Sequence, residues 1–313
     1  MRFPYVVAAL VVAGLPMAAR CEAAPAPAPF AYRWSPGSVL RYRLVASIKG
    51  HLPLFGSPDP VDLEAVVRVV YRAVPLRRGA DGHMEVTFKA ESAEAEVATI
   101  PISIPPEDID RILNQTVTLA STGEVKSVRG GAPLPFGLSV PGVDPQRLYT
   151  LLVPIVFPTE PVRPGDSWQF DSELLGGEGA PATFRATVLS PERGKAPGAG
   201  ARAPRVREQF RMEVDQRLDV DRRPVAQDAD PYRKRTGRIE GDGVFVFDRA
   251  LGRLHTGRIR ITADLLENLI GAPRTPEEPR EVASRIDATV TVQLLPPAKA
   301  RPQPVPTSRK ETR

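Results

Sequence analysis

The stretch SVLRYRLVASI, Ser38 to Ile48, puts Leu40, Tyr42, Leu44, Ala46 and Ile48 on one side of an extended chain and Arg41, Arg43 and Ser47 on the other. A period of two is the mark of a strand with one face in a core and one in water. The signature recurs. In DLEAVVRVVYRAV (62–74), Leu63, Ala65, Val67, Val69, Tyr71 and Ala73 share a face opposite Glu64, Arg68 and Arg72, a side diluted by Val66, Val70 and Val74. HMEVTFKA (83–90) sets Met84, Val86, Phe88 and Ala90 against His83, Glu85, Thr87 and Lys89. Strands of about ten residues span ~33 Å, and this alternation is that of antiparallel sheet.

Working outward, two short helices are expected. PPEDIDRILNQ (105–115) carries acids in its first turn and Ile109, Ile112 and Leu113 at helical spacing. In DPQRLYTLLVP (144–154), Asp144 can cap, Pro145 suits the first helical position, and Pro154 ends a stripe of Leu148, Leu151 and Leu152. Between them QTVTLASTGEVKSVRG reads as a hairpin turning near Thr122-Gly123. Strand patterns return in SWQFDSELL, ATFRATVL, RVREQFRMEVDQRLDV and RIDATVTVQLL, and a second hairpin turns through Asp248 to Gly252. The turn-rich stretches PERGKAPGAGARAP, DRRPVAQDADPYRKR and GAPRTPEEPRE read as surface loops. The fold class is therefore mainly β: about ten to twelve long antiparallel strands in a curved sheet or open barrel-like sandwich, with two short helices. Residues 32–295 read as a single domain, with a split near residue 160 as the alternative.

The N-terminus has one arginine, an apolar run from Phe3 to Ala19, and small residues ahead of an Ala-Pro repeat. This is the layout of a secretory signal peptide over residues 1–24, followed by an Ala/Pro linker, 25–31. The run is interrupted by Pro4 and Pro16 and is short for a membrane span, so no integral span is expected after cleavage. Cys21, the only cysteine, follows Arg20, where a lipoprotein signal wants a small residue, which argues against lipid anchoring there. The expected location is the periplasm or the extracellular space. The net charge of +5 resides at the ends: without residues 1–31 and the basic, proline-rich tail 296–313, the body is neutral. A neutral body argues against nucleic acid as a partner, and the tail is too polar to bury much of itself.

In FPTEPVRPGDSWQF (157–170), prolines stiffen the approach, Gly165 permits a turn, and Asp166 can bond its own backbone. Trp168 then heads a strand as a structural anchor, with Gly165 and Gly252 anchoring their turns. Trp168→Ala is expected to cost on the order of 3–5 kcal/mol, as large aromatic truncations do. Together with RWSPGSVLRYRL, LASTGEVKSV and GDGVFVFDRALGRL, this segment resembles a broad group of uncharacterised bacterial exported proteins and lipoproteins of the domain-of-unknown-function type. Those are β-rich, with PGDSW-like strand openings and FD...G.L hairpins in similar order. The resemblance covers about residues 32–295 and implies an envelope or secreted location and a large antiparallel fold. It implies no activity. The architecture is also similar to lipid-transfer and lipoprotein-carrier folds, where long curved strands wrap a helix and leave an apolar groove, although architecture alone assigns no function.

The groups available for catalysis are few. His51, His83 and His255 have no second ligand at metal spacing. Ser167 lacks the glycines of a nucleophile elbow. Asp108/Asp110, Asp219/Asp221 and Asp228/Asp230 lack the glycine and distal glutamate of a calcium loop. No cofactor, metal or enzymatic activity is expected. The large apolar side chains pack a core on one reading. On the other, Trp168, Phe170, Tyr42, Leu148 and Leu151 line a groove for a lipid or other apolar ligand. The leading expectation is a non-enzymatic envelope protein with such a ligand. The alternative is a structural or protein-interaction module of the envelope with no small ligand, and a hydrolase stands third.

Overall fold

The computed structural model describes residues 28–53, 60–98, 100–102, 105–131, 145–172, 182–190, 207–222, 232–270 and 280–297. The expected signal segment with Cys21, the Asp144 cap, the loop PERGKAPGAGARAP, the Asp228/Asp230 pair and the tail beyond residue 297 lie outside them.

Twelve strands form one sheet: β1 (Leu40–Pro53), β2 (Pro60–Arg78), β3 (Met84–Val97), β4 (Ile100–Ile102), β5 (Gln115–Leu119), β6 (Val125–Gly130), β7 (Ser167–Ser172), β8 (Ala182–Val188), β9 (Arg207–Arg222), β10 (Tyr232–Asp248), β11 (Arg253–Ile270) and β12 (Arg280–Leu294). Every pairing is antiparallel and the sheet is curved and open, in the order β6-β5-β3-β2-β1-β12-β11-β10-β9-β8-β7, with β4 added to the far end of β3. The first three strands run 14, 19 and 14 residues, longer than the alternation alone suggested. Tyr232–Arg235, expected in a loop, begin β10. The sheet is continuous across residue 160, because β1 and β12 pair at its centre, from Tyr42↔Leu294 to His51↔Arg285. The chain is thus a meander whose two ends meet mid-sheet, and the β6–β7 connection is what passes from one edge to the other.

Register explains why this sheet has one dry face. Leu40, Tyr42, Leu44, Ala46 and Ile48 of β1 lie opposite Ala73, Tyr71, Val69, Val67 and Ala65 of β2, and the row extends into Val292, Val290 and Ala288 of β12. A slip of one residue would turn all of them into water. Curvature comes from two devices. Extra residues at Leu76, Glu91, Lys126 and His255 form bulges, which bend and coil the strands carrying them. Glycines at 241, 243 and 257 remove side chains where the inner face creases: a Cβ on Gly243 would lie 2.9 Å from Ile259, and one on Gly257 would overlap the Phe245 ring.

One end of the rolled sheet is closed by two extended segments. Residues 28–34 cross it with Phe30, Tyr32 and Trp34 pointing inward, and residues 153–157 lie alongside. The Tyr32 amide donates to Ser121 O (2.7 Å) in the β5–β6 turn, and the Arg33 amide to Gly252 O (2.8 Å) in the β10–β11 turn, lacing two hairpins together. Phe157 N donates to Thr122 O (2.8 Å). Gly123 and Gly252 hold positive φ and sit so close to this strap that a Cβ would strike Tyr32 and Arg33 respectively. Phe30 is only 3% exposed, so the packed body reaches back into the segment expected to be linker.

Both expected helices are present in altered detail. α1 (Pro106–Leu113) fills the gap beside β3 that β4 and β5 leave open, and Asn114 at its end pins it there by accepting the Ala90 amide at 3.0 Å. The second, Pro145–Leu152, is a 3₁₀ helix. Pro154 has no N–H to give the Thr150 carbonyl, and Val153 N bonds it at 3.1 Å instead, the tighter i→i−3 closure.

Candidate functional site

The inner face changes character along the strands. At the strapped end it is aromatic: Phe157 touches Phe30, Tyr32, Trp168, Phe210 and Phe247 with ring centroids 5.0–6.2 Å apart. Trp34 meets Phe88 edge-on, and Phe88 stacks on Tyr149 of the 3₁₀ helix. Arg249 places its guanidinium 4.4 Å above the Phe30 ring. These contacts plug that end with close-packed rings.

Toward the far end the side chains shrink to Ala46, Ala65, Ala95, Ala263, Ala288, Gly50 and Gly241. Small residues let the roll narrow. On β9 to β11, Leu218, Ile239, Ile261 and Leu265 are buried. On the other arm burial is mixed: Ile286 and Ala288 of β12 and Ala65 of β2 are buried, but several of their neighbours are not. Val290 of β12, Ala46 and Ile48 of β1, Leu63 and Val67 of β2, and Ala93 and Ala95 of β3 are all only half-buried, although they face the core side of the sheet. Register makes them contiguous: Val290↔Ala46↔Val67↔Ala95 is one row across four strands. Leu148 of the 3₁₀ helix and Leu113 of α1, both half-buried, pack against the same core. This strip is the candidate site.

Of the residues singled out from sequence, Tyr42 (0% exposed) and Leu151 (2%) are inside the filled core, and Phe170 is buried against Phe184. Trp168 is half-buried and closes the plug: its Nε1 donates to Val156 O at 2.7 Å, with Phe157 and Phe210 beside the ring. Leu148 is half-buried and packs against the core from the 3₁₀ helix. Gly165 has φ +93° in the turn from Arg163 to Asp166, where Asp166 accepts the Arg163 amide at 2.7 Å. Sequence reasoning missed the strip because its members look like ordinary strand interior; Ala93 and Ala95 at alternate positions in β3 were the available signal.

Among the described residues, buried polar atoms without a partner occur at several points, Arg253 Nε among them. Trp34 Nε1 is buried without a hydrogen-bond partner, and so is Ser284 Oγ near the far end. A buried donor left unpaired costs roughly 1–3 kcal/mol. Trp34 packs edge-on against Phe88 and stacks on Tyr32, inside the plug. Burial also raises the Tyr42 and Tyr71 phenols far above the ordinary tyrosine range, keeping them neutral.

The titratable candidates do not converge. His51 bonds Asp62 (3.0 Å) and His83 bonds Asp81 (2.6 Å), both at the strand periphery, and His255 is a bulge residue of β11. Ser167 is exposed at the head of β7 opposite Thr187. Asp108 and Asp110 serve α1 through Arg111 and Asn114, and Asp219 pairs with Lys234 on the outer face. Among the described residues, no group of three or more His, Cys, Asp or Glu is disposed to hold a metal, and no helix is long and apolar enough to cross a membrane.

A scan against protein-family models finds no match for this sequence, and a search of the curated proteins finds none either. Among solved structures, a lipovitellin chain, from work on lipid–protein interactions in lipovitellin, is similar with a TM-score of 0.45 and 10% identity. The similarity covers 86% of this chain and 26% of that one, so the present chain spans about a quarter of that protein's length.

Proposed function

We propose that this is an exported, non-enzymatic protein of the bacterial envelope that binds a lipid or other apolar ligand on the inner face of its curved sheet. The observation that carries the reading is the half-covered strip on β12, β1, β2 and β3. Apolar side chains on a core-facing surface are ordinarily sealed, and a contiguous row left partly open is a surface that gains about 25 cal/mol per Å² when a ligand covers it. The export part rests on the N-terminal pattern and the motif resemblance.

The test is native mass spectrometry of the protein purified from its own envelope, with organic extraction of what it carries. A near-stoichiometric lipid, displaced by Val67→Gln, supports the reading. A clean mass and no uptake of offered lipids would overturn it. That outcome would favour the second reading, a structural or partner-binding module with no small ligand, which the solid aromatic plug supports.

A further inference from the structure

The outer face of the sheet is a lattice of ion pairs. Arg41 and Arg72 share Glu91, Arg77 and Arg129 share Glu85, Arg68 reaches Glu96, and Arg238 grips both oxygens of Asp215. Arg43 on β1 and Arg258 on β11, like Arg185 and Arg260, are exposed and have no carboxylate partner among the described residues. Arg43 and Arg258 line the same cleft of about 490 Å³, and no acidic residue lines it with them.

Register sets the geometry. Arg43 lies opposite Gln293 of β12, and two residues further along, Val45, Thr291, Arg258 and Val244 form a row across β1, β12, β11 and β10. β1 and β11 are the two neighbours of β12, so the arginine backbones stand about 10 Å apart across the sheet, two strand spacings, and are offset by one outward-facing position along it. Both side chains are long enough to converge above Thr291 and Gln293. Two unpaired guanidinium groups on one patch repel each other, and a shared anion removes that cost. Their planar forks match the oxygens of phosphate and carboxylate, and the Gln293 amide adds a neutral donor. Val244, 42% exposed, and half-buried Val45 bound the row with apolar surface, suited to the carbon substituent of an organic anion.

We propose that the outer-face cleft between β1 and β11 binds an oxyanion, a phosphate or carboxylate group on a molecule with an apolar part, held by Arg43 and Arg258. The site is independent of the inner-face strip. The phosphate of a lipid headgroup and that of a free phosphate ester share the chemistry, and the experiment separates them. The mature protein is titrated calorimetrically with butyl phosphate, and sedimented with phosphatidylcholine vesicles with and without phosphatidylglycerol. Arg43→Gln, Arg258→Gln, the double variant and Arg185→Gln, an outer-face arginine away from the cleft, are compared with wild type.

The expected result is saturable one-to-one binding, weakened by added salt, and reduced roughly tenfold or more by each cleft substitution. Arg185→Gln should bind as wild type does. Binding of butyl phosphate assigns the site to free esters; sedimentation with phosphatidylglycerol vesicles alone, lost in the double variant, assigns it to headgroups. No saturable binding in either arm, or binding that survives the double substitution, overturns the proposal.

Discussion

Phe157, rather than Trp168, is the residue on which the strapped end turns. Both belong to FPTEPVRPGDSWQF, but Phe157 is 2% exposed with five aromatic neighbours, whereas Trp168 keeps part of its ring in water. Phe157→Ala is therefore expected to cost about 3–5 kcal/mol, the range for a buried aromatic. For Trp168→Ala the fuller-burial figure comes down to about 2–3 kcal/mol, because less area is lost. Trp168→Phe, which keeps most of the ring and forfeits the bond to Val156 O, should cost about 1 kcal/mol. Urea unfolding of the three variants checks the order, and a Trp168→Ala loss exceeding that of Phe157→Ala would reverse it. The tryptophan drew the eye because it follows a Pro-Gly turn at a strand head, where the period of two applies. Phe157 sits in an irregular segment between prolines, where no periodicity says which way a side chain faces.

At the scale of elements, alternation located the strands and missed what bends them. The glycines of β10 entered the sequence reading only inside the motif GDGVFVFDRALGRL, yet Gly241 and Gly243 occupy successive inner-face positions and Gly257 stands across from Phe245. Gly257→Ala drives a methyl into the Phe245 ring, and the expected loss is about 1–3 kcal/mol, the usual range for overpacking. A thermal midpoint equal to wild type would show that the crease can widen without cost. Bulges were invisible beforehand, since one extra residue in a strand leaves no local mark. The bulge residue His255 has a consequence that can be measured. Burial, with help from nearby Arg207, lowers its pKa below the ordinary 6.5, partly opposed by Asp248. Between the lowered value and 6.5 the unfolded chain binds the proton and the folded one does not, so stability falls as pH drops through that window and is unaffected above it. His255→Gln should lack this part of the pH dependence; identical wild-type and variant slopes between neutral pH and pH 5 would remove His255 from the account.

The whole molecule depends on two joints that no local pattern announces, because each brings together residues far apart in the chain. The first is the strap. Phe30, Tyr32 and Trp34 fill the strapped end and lace the β5–β6 and β10–β11 turns. A chain beginning at Ser35 is therefore expected to bind hydrophobic dyes and lose near-ultraviolet dichroism, whereas one beginning at Ala26 keeps both native properties. The second joint is the β1–β12 seam. Without the second half, β1 becomes a 14-residue bare edge with an apolar inner face, the kind of edge that aggregates. The first half also loses Phe210 and Phe247 from under its own Phe30 and Tyr32, and the second half loses that strap from its rings. Each half would then expose the aromatic surface that now closes the roll. Residues 25–152 and 153–297, produced separately, are accordingly expected to show no cooperative unfolding transition, while co-expressed they should assemble along the seam into a species that unfolds once. A sharp transition in either half alone would mean that the split near residue 160 marks a true domain boundary and that the seam is a docking surface between two folded units.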